Sequence, residues 1–305
     1  MPRTTVRYRR CRPRDLLPSL RLVMFSFNDV RRRTGKEPIV RRVREVPGFF
    51  AHLLATNPES FFCAWRGKRI IGFAGAIIRG KQWYLGWLFV HPRYQDQGIG
   101  RRLLTHVWRD GTGMSHSLTT MTYNMQAVGL YSRFGMVPET LFTVMETRPD
   151  RLRTPMPTGL DVVEQVQRAD LAWINDVETE IRGYAHRGEW RFWRRSDQHR
   201  ILLFKRARIR IGYSMITWGI DIAPVGAARR RDLHDVLAET LRIAATSPRK
   251  GKKDGKLMVL VPEAQKDLYQ FLLECGFRNR EMLLFMSDQT YPDFGRYLPA
   301  SPAVF

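Results

Sequence analysis

Between Thr5 and Cys11 the chain has the look of an extended segment. Pro13-Arg14-Asp15 then opens a helical pattern that gathers Leu16, Leu17, Leu20, Val23, Met24 and Phe27 on one face. A second helix is expected around Pro47 to Ala55. Phe61 to Trp65, Arg69 to Ile78 and Gln82 to Val90 read as three strands. The short polar turns Arg66-Gly67-Lys68 and Arg79-Gly80-Lys81 separate them, so they form an antiparallel meander. Helical spacing returns from Gly98 to Trp108, followed by a strand from Ser117 to Tyr123, a short helix from Gln126 to Phe134 and a closing strand from Met136 to Glu146. The order β, α, α, β, β, β, α, β, α, β predicts an α/β domain, an α+β mixed sheet that begins antiparallel and gains its later strands through helical crossovers.

That domain is expected to span residues 1–148. Residues 149–159, with three prolines, have the composition of a linker. The pattern then partly repeats. Arg208 to Trp218 matches Lys68 to Ile78, and Ala264, Leu268, Tyr269, Gly276 and Phe277 line up in kind with Ala127, Leu130, Tyr131, Gly135 and Met136. A duplicated domain over residues 160–287 and a tail over 288–305 complete the expected organisation, two domains in tandem, each a central mixed sheet flanked by helices.

Length agrees, since 305 residues exceed one ordinary domain and suit two. With 44% hydrophobic and 26% charged residues the chain is expected to be globular. Charge changes the picture more: 51 Lys and Arg against 29 Asp and Glu leave +22, with a pI near 10.7. Residues 1–44 hold 14 of the cations against Asp15, Asp29 and Glu37, a net of +11. A solvated basic surface is the plainer account, and nucleic acid or another polyanion is the alternative partner, although no nucleic-acid motif accompanies the charge. Cys11, Cys63 and Cys275 are an odd number without metal-ligand spacing, which points to neither a disulfide framework nor zinc and sets the cytoplasm as the expected location. The apolar run Ile70 to Ile78 is far shorter than the roughly 20 residues of a membrane helix.

The chemistry concentrates in Val90-His91-Pro92-Arg93-Tyr94-Gln95-Asp96-Gln97-Gly98-Ile99-Gly100-Arg101. A strand ends there, and a glycine-bearing loop enters a helix whose first amides lack partners and whose dipole is positive. A diphosphate can be held at such a place by main chain alone. This stretch resembles motif A of the GCN5-related N-acetyltransferase (GNAT) superfamily, Q/R-x-x-G-x-G/A, filled here by Gln95, Gly98 and Gly100. Asn124-Met125-Gln126-Ala127-Val128-Gly129-Leu130-Tyr131-Ser132-Arg133-Phe134-Gly135-Met136 is similar to the family's motif B, N-x-x-A-x-x-L-Y-x-x-x-G-F, with Met136 in place of Phe.

The resemblance implies an N-acetyltransferase that moves an acetyl group from acetyl-CoA directly to a primary amine. Leu88, Phe89 and Val90 would pair their main chain with the pantetheine arm. Gln95, Asp96, Gln97, Gly98, Ile99, Gly100 and Arg101 would cradle the pyrophosphate, Asn124 would contact the pantetheine, and Tyr131 would protonate the departing thiolate. The carboxylate base that family members commonly carry before motif A is missing from Gln82 to Tyr94. A water relay, Glu59 and the terminal carboxylate of Phe305 stand as alternatives, and His91 reads as structural. In the second half, Ile222 to Arg231 lacks the Q-x-x-G-x-G string, which implies a degenerate copy that supports the first. Its aromatic, basic segment Tyr184 to Trp193 is expected either to line an acceptor cleft or to dock as a helix. The competing reading is a non-catalytic CoA-sensing or nucleic-acid-binding module. Walker A, H-E-x-x-H and nucleophile-elbow patterns are absent.

Overall fold

Residues 5–39, 42–217, 221–246, 256–289 and 293–304 are described by the computed structural model. The first strand, β1 (Val6–Arg10), leads through a 3-10 turn at Pro13–Asp15 into α1 (Leu16–Arg33). Asp15 joins the two elements. Its buried carboxylate takes Arg9 Nη1 and Nη2 at 2.7 and 3.0 Å and the Arg12 amide at 2.8 Å. The helix runs past Phe27 because charge supports it there, with Asp29 and Arg33 2.8 Å apart at i,i+4 and three arginines in the negative last turn. Next come α2 (Gly48–Thr56), β2 (Phe61–Arg66), β3 (Arg69–Arg79), β4 (Gln82–Val90), α3 (Ile99–Val107), β5 (Ser115–Met121) and α4 (Met125–Ser132). Each predicted element is present within a few residues of its expected bounds.

The chain divides into two compact units, Met1–Val137 and Pro138–Phe305. In the first, the sheet order is β1-β2-β3-β4-β5, antiparallel as far as β4, with β5 added parallel to β4 after the α3 crossover. Gly72 lets α3 sit close on β3, for a Cβ there would come within 2.8 Å of Leu103 Cδ1. The β4 strand carries a bulge. Gly75 pairs with Trp87 and Ala76 with Leu85, which leaves Gly86 as an extra residue. Pairing between β4 and β5 ends at the same place, with Leu85 opposite Leu118. A bulge bends and over-twists its strand, so β4 leaves β5 and its Gly86–Val90 edge faces a slot.

The second unit holds β6 (Val137–Thr147), β7 (Asp161–Val163), α5 (Arg168–Arg182), α6 (Arg187–Arg195), β8 (His199–Arg206), β9 (Ile209–Thr217), β10 (Asp221–Ala227), α7 (Leu233–Thr246), β11 (Leu257–Pro262), α8 (Lys266–Glu274), β12 (Arg278–Ser287) and the two-residue β13 (Tyr297–Leu298). Its strand order is β12-β6-β11-β10-β9-β8-β7. The strand that the sequence reading puts at the close of residues 1–148 is hydrogen-bonded here, with Phe142 to Thr147 antiparallel to β11. The linker from residue 149 forms no helix or strand before β7, and the Arg153 amide donates to the Cys275 carbonyl at 2.9 Å.

The repeat is visible in the registers. Gly72 pairs with Val90 and Gly212 with Ala227, while the next amides, of His91 and Ala228, donate back to Ile71 and Ile211 at 2.8 Å each. Gly212 also repeats the role of Gly72, since a Cβ there would lie 2.4 Å from Val236 on α7. One alignment made from the sequence is corrected. Asn124 caps α4 and Gln265 caps α8, and the amides of Met136 and Phe277 close the two helix ends on the carbonyls of Tyr131 and Leu272. The counterpart of Tyr131 is therefore the buried Leu272, not Tyr269. Similarity in kind placed the match three residues too early, a shift that the hydrogen bonds do not contain.

Tyr184, Trp190 and Trp193 are buried within the second unit, packed into its interior as part of the fold. Trp190 stands edge-on to Trp193 and Tyr213 at 5.0 and 5.6 Å. Beneath them, Glu178, Arg182 and His186 form a charged cluster closed to solvent. Glu178 is 3.2 Å from Arg182 and accepts from the His186 amide at 2.7 Å, and Tyr213 donates to it at 3.3 Å.

Candidate active site

A cavity of about 330 Å³ lies where β4 parts from β5. Its floor is β4, one end is the loop into α3, and α4 and the end of α1 form the remaining walls. The loop adopts a shape rare for ordinary residues. Asp96 and Gly98 have φ of 61° and 73°, and a Cβ on Gly98 would meet nothing within 4 Å. The Asp96 conformation is fixed by Gln126, whose side-chain amide donates to its carboxylate. The first helical bond of α3 is Arg102 N to Gly98 O, 3.1 Å. From Asp96 to Arg101, six consecutive backbone amides have no hydrogen-bond partner among the described residues. An unpaired run of this kind at a helix start attracts an anion.

Ten of the residues singled out from the sequence line this cavity: Leu88, Val90, Gln95, Asp96, Gly98, Ile99, Gly100, Arg101, Asn124 and Tyr131. Phe89 does not, because alternate strand residues face opposite sides of a sheet. Gln97 turns its side-chain amide back to the Arg93 carbonyl at 3.5 Å. Gln95 acts as a brace: it donates to the Val90 carbonyl at 3.0 Å and accepts from Arg33 at 3.1 Å. Asn124 spends its carbonyl oxygen on the Ala127 amide, 3.4 Å, as the cap of α4. The sequence reading missed Val30, Arg33, Gln126, Ala127, Leu130 and Arg133. Ala127 and Leu130 belong to motif B and were open to inclusion, whereas Arg33 lies 62 residues before Gln95 and only the folded chain brings it there.

With Arg101 and Arg133, Arg33 gives the cavity three guanidinium groups against one carboxylate, Asp96. Tyr131 is 6% exposed, and its hydroxyl has no hydrogen-bond partner among the described residues. Burial pushes its phenol pKa well up, so it stays protonated. Glu59 lies outside this lining and is ion-paired with Arg10. His91 caps the 3-10 turn Pro92–Tyr94 by accepting the Arg93 amide at 3.2 Å, and burial and Arg93 lower its pKa. Phe305 is outside the described residues, as is Trp218 of the repeat.

Residues 27–136 match the sequence profile of the Acetyltransferase (GNAT) family. The first unit therefore carries a GNAT-family domain. No curated protein matches it in sequence. Among solved structures, a Pyrococcus horikoshii protein superposes with a TM-score of 0.76 at 17% identity, covering 98% of this chain and 96% of that one. A GCN5-related N-acetyltransferase from Sphaerobacter thermophilus gives 0.65 at 15% identity, with 98% of each chain covered. A tandem GNAT protein from the clavulanic acid biosynthesis pathway gives 0.57 at 12% identity, with 93% and 98% covered. At these identities the likeness is one of fold, and it extends over both units. GNAT proteins draw their acyl group from acetyl-CoA. The unpartnered amides, the arginines and the open strand edge suit an elongated ligand with a diphosphate near its middle.

Proposed function

We propose that the cavity of the first unit binds acetyl-CoA and that the protein is an N-acetyltransferase that transfers the acetyl group directly to a primary amine. The observation that carries the proposal is the run of six unpartnered amides from Asp96 to Arg101 beside an unpaired strand edge. Those amides hold the diphosphate with the Gly98 turn open above them, while Arg33, Arg101 and Arg133 balance its charge. The Leu88 to Val90 edge aligns the pantetheine arm as an added strand, on the main-chain groups that Gln95 leaves available.

Acetyl-CoA supplies an acetyl thioester. In the reaction a nitrogen–carbon bond forms, the carbon–sulfur bond breaks, the amine gives up a proton and the thiolate takes one. Tyr131 holds a proton for the sulfur. A raised phenol pKa makes it a weak acid, but the same dry surroundings destabilise a thiolate, so donor and acceptor move together. On the amine side, the one carboxylate among the described lining residues, Asp96, is engaged by Gln126. Only about one in a thousand lysine-like amines is neutral at pH 7. The acceptor therefore loses its proton to water, or enters with its pKa lowered by the surrounding arginines.

The test is thiol release from acetyl-CoA against a panel of primary amines, with Tyr131→Phe beside the wild type. The expected result is turnover that falls at least ten-fold in the variant while CoA affinity stays within two-fold. Equal turnover removes Tyr131 from the chemistry, and tight CoA binding without thiol release on any amine leaves a sensing module in place of an enzyme.

A further inference from the structure

In the second unit the position of the open strand edge is already filled. Leu88, Phe89 and Val90 correspond by register to Val225, Gly226 and Ala227, since each set pairs with the matching residues of the preceding strand: Ala74, Phe73 and Gly72 in one unit, Ser214, Tyr213 and Gly212 in the other. Among the described residues the parallel pairing of β10 with β11 is the one pair Asp221 and Met258, after which the two strands part as β4 and β5 do. Into that gap comes β13. Leu298 lies opposite Val225, Tyr297 lies opposite Gly226, and the Ala227 amide donates to the Arg296 carbonyl at 3.0 Å. Tyr297 and Leu298 are both fully buried.

The approach of this segment is anchored at each step. Gln265, the counterpart of Asn124, donates to the Phe294 carbonyl at 2.5 Å, and the Phe294 ring packs edge-on against Phe142 at 5.2 Å. Asp293 pairs with Arg230 at 3.0 Å, and Arg296 with Glu180 at 2.6 Å. The loop that follows is also shorter: α7 starts five residues after Ala228, whereas α3 starts eight after His91. It contains no residue with positive φ.

We infer that Asp293–Leu298 is an intramolecular ligand: it augments β10 where an acyl-donor arm would lie, and it leaves the chain with a single donor site, in the first unit. The inference rests on the proposed reading of the first unit's slot, and the segment takes the place of the pantetheine in the second. Strand addition explains why a two-residue strand persists, since main-chain bonds fix it and the two side chains are buried on either side. It also gives the second copy a reason to have kept its fold after losing the phenol to Leu272: the groove has an occupant.

Hydrogen exchange on the full chain, with and without saturating CoA and read beside native mass spectrometry, tests this. The expected result is strong protection of the Ala227 amide in the free protein, no change there on adding CoA, slowed exchange at Asp96–Arg101, and one CoA per chain. Leu298→Glu puts a carboxylate in the closed gap and should raise exchange at Ala227 at least ten-fold while Asp96–Arg101 still respond to CoA. Fast exchange at Ala227 in the free wild type, two CoA bound per chain, or CoA-induced exposure of residues 293–298 would each overturn the inference. If CoA protects no part of the chain while Ala227 stays protected, the reading of the first unit has failed and the segment is only a strand of the fold. The wild-type readouts stand even if the variant does not fold.

Discussion

Tyr131 is largely buried and Glu178 fully so, and burial acts on them in different company. With no charge beside it, Tyr131 has its pKa moved up by desolvation, away from the working range. The pH–rate profile of acetyl transfer should therefore show no limb belonging to this phenol below about pH 10, and Tyr131→Phe should change its height and not its shape. Glu178 keeps its charge because His186 and Arg182 outweigh desolvation, and its pKa is brought down to about 2 from 4.5. Its contribution to stability is complete above about pH 4.5 and is lost as pH falls from there toward 2, at about 1.4 kcal/mol for each pH step of one. Urea unfolding at pH 7 and pH 3 should show this loss in the wild type and a flatter dependence in Glu178→Gln. At pH 7 that variant should be about 3–5 kcal/mol less stable, because Arg182 is left buried without its counter-charge. Glu178, Arg182 and His186 are spaced i, i+4, i+8. The third of them lies past the end of α5 at Gly183, so no helical face joins the three, and only the tertiary packing of Tyr213, Tyr297 and Trp190 makes the cluster an interior.

Among the elements, the two glycines of the loop into α3 differ in what they require. Gly98 needs φ of 73°, which costs an L residue roughly 1–2 kcal/mol. Gly100 is helical, and a Cβ there meets Val90 and Leu130 at an ordinary 3.7 and 3.8 Å. Gly98→Ala should lower both the melting temperature and CoA affinity, while Gly100→Ala should hold or raise the melting temperature, by up to about 1 kcal/mol of stability. Calorimetry with a CoA titration separates the two. The β8–β9 turn offers the converse case, since Ala207 and Arg208 adopt φ of 47° and 68° without being glycine. Arg208→Gly should stabilise the chain by about 1 kcal/mol, read as an upward shift in melting temperature. Elements of this kind were the most legible part of the chain, because period and turn chemistry are local. The counterpart of Tyr131 was not, because Tyr269 and Leu272 both satisfy an apolar pattern and only hydrogen bonds from the helix end distinguish them.

For the molecule as a whole, +22 is a field as well as a count. Three of its arginines border the cavity, so CoA should be steered toward it, and the association rate should fall several-fold as salt shortens the Debye length from about 30 Å at 0.01 M to about 8 Å at 0.15 M. Stopped-flow binding across that range checks this, and a flat response would place the relevant charge elsewhere. Two repeated units were legible from the repeated motif, but the pairing of β6 with β11 was not, since hydropathy specifies that a strand is buried and not which strand it joins. The bulge at Gly86 shows how little separates a receptor from a plain sheet. Splice that one residue out and Leu85 and Trp87 would follow one another opposite Ala76 and Gly75 without changing partners, β4 would be free to zip along β5, and the chain would gain a longer ladder at the loss of any opening for a second molecule.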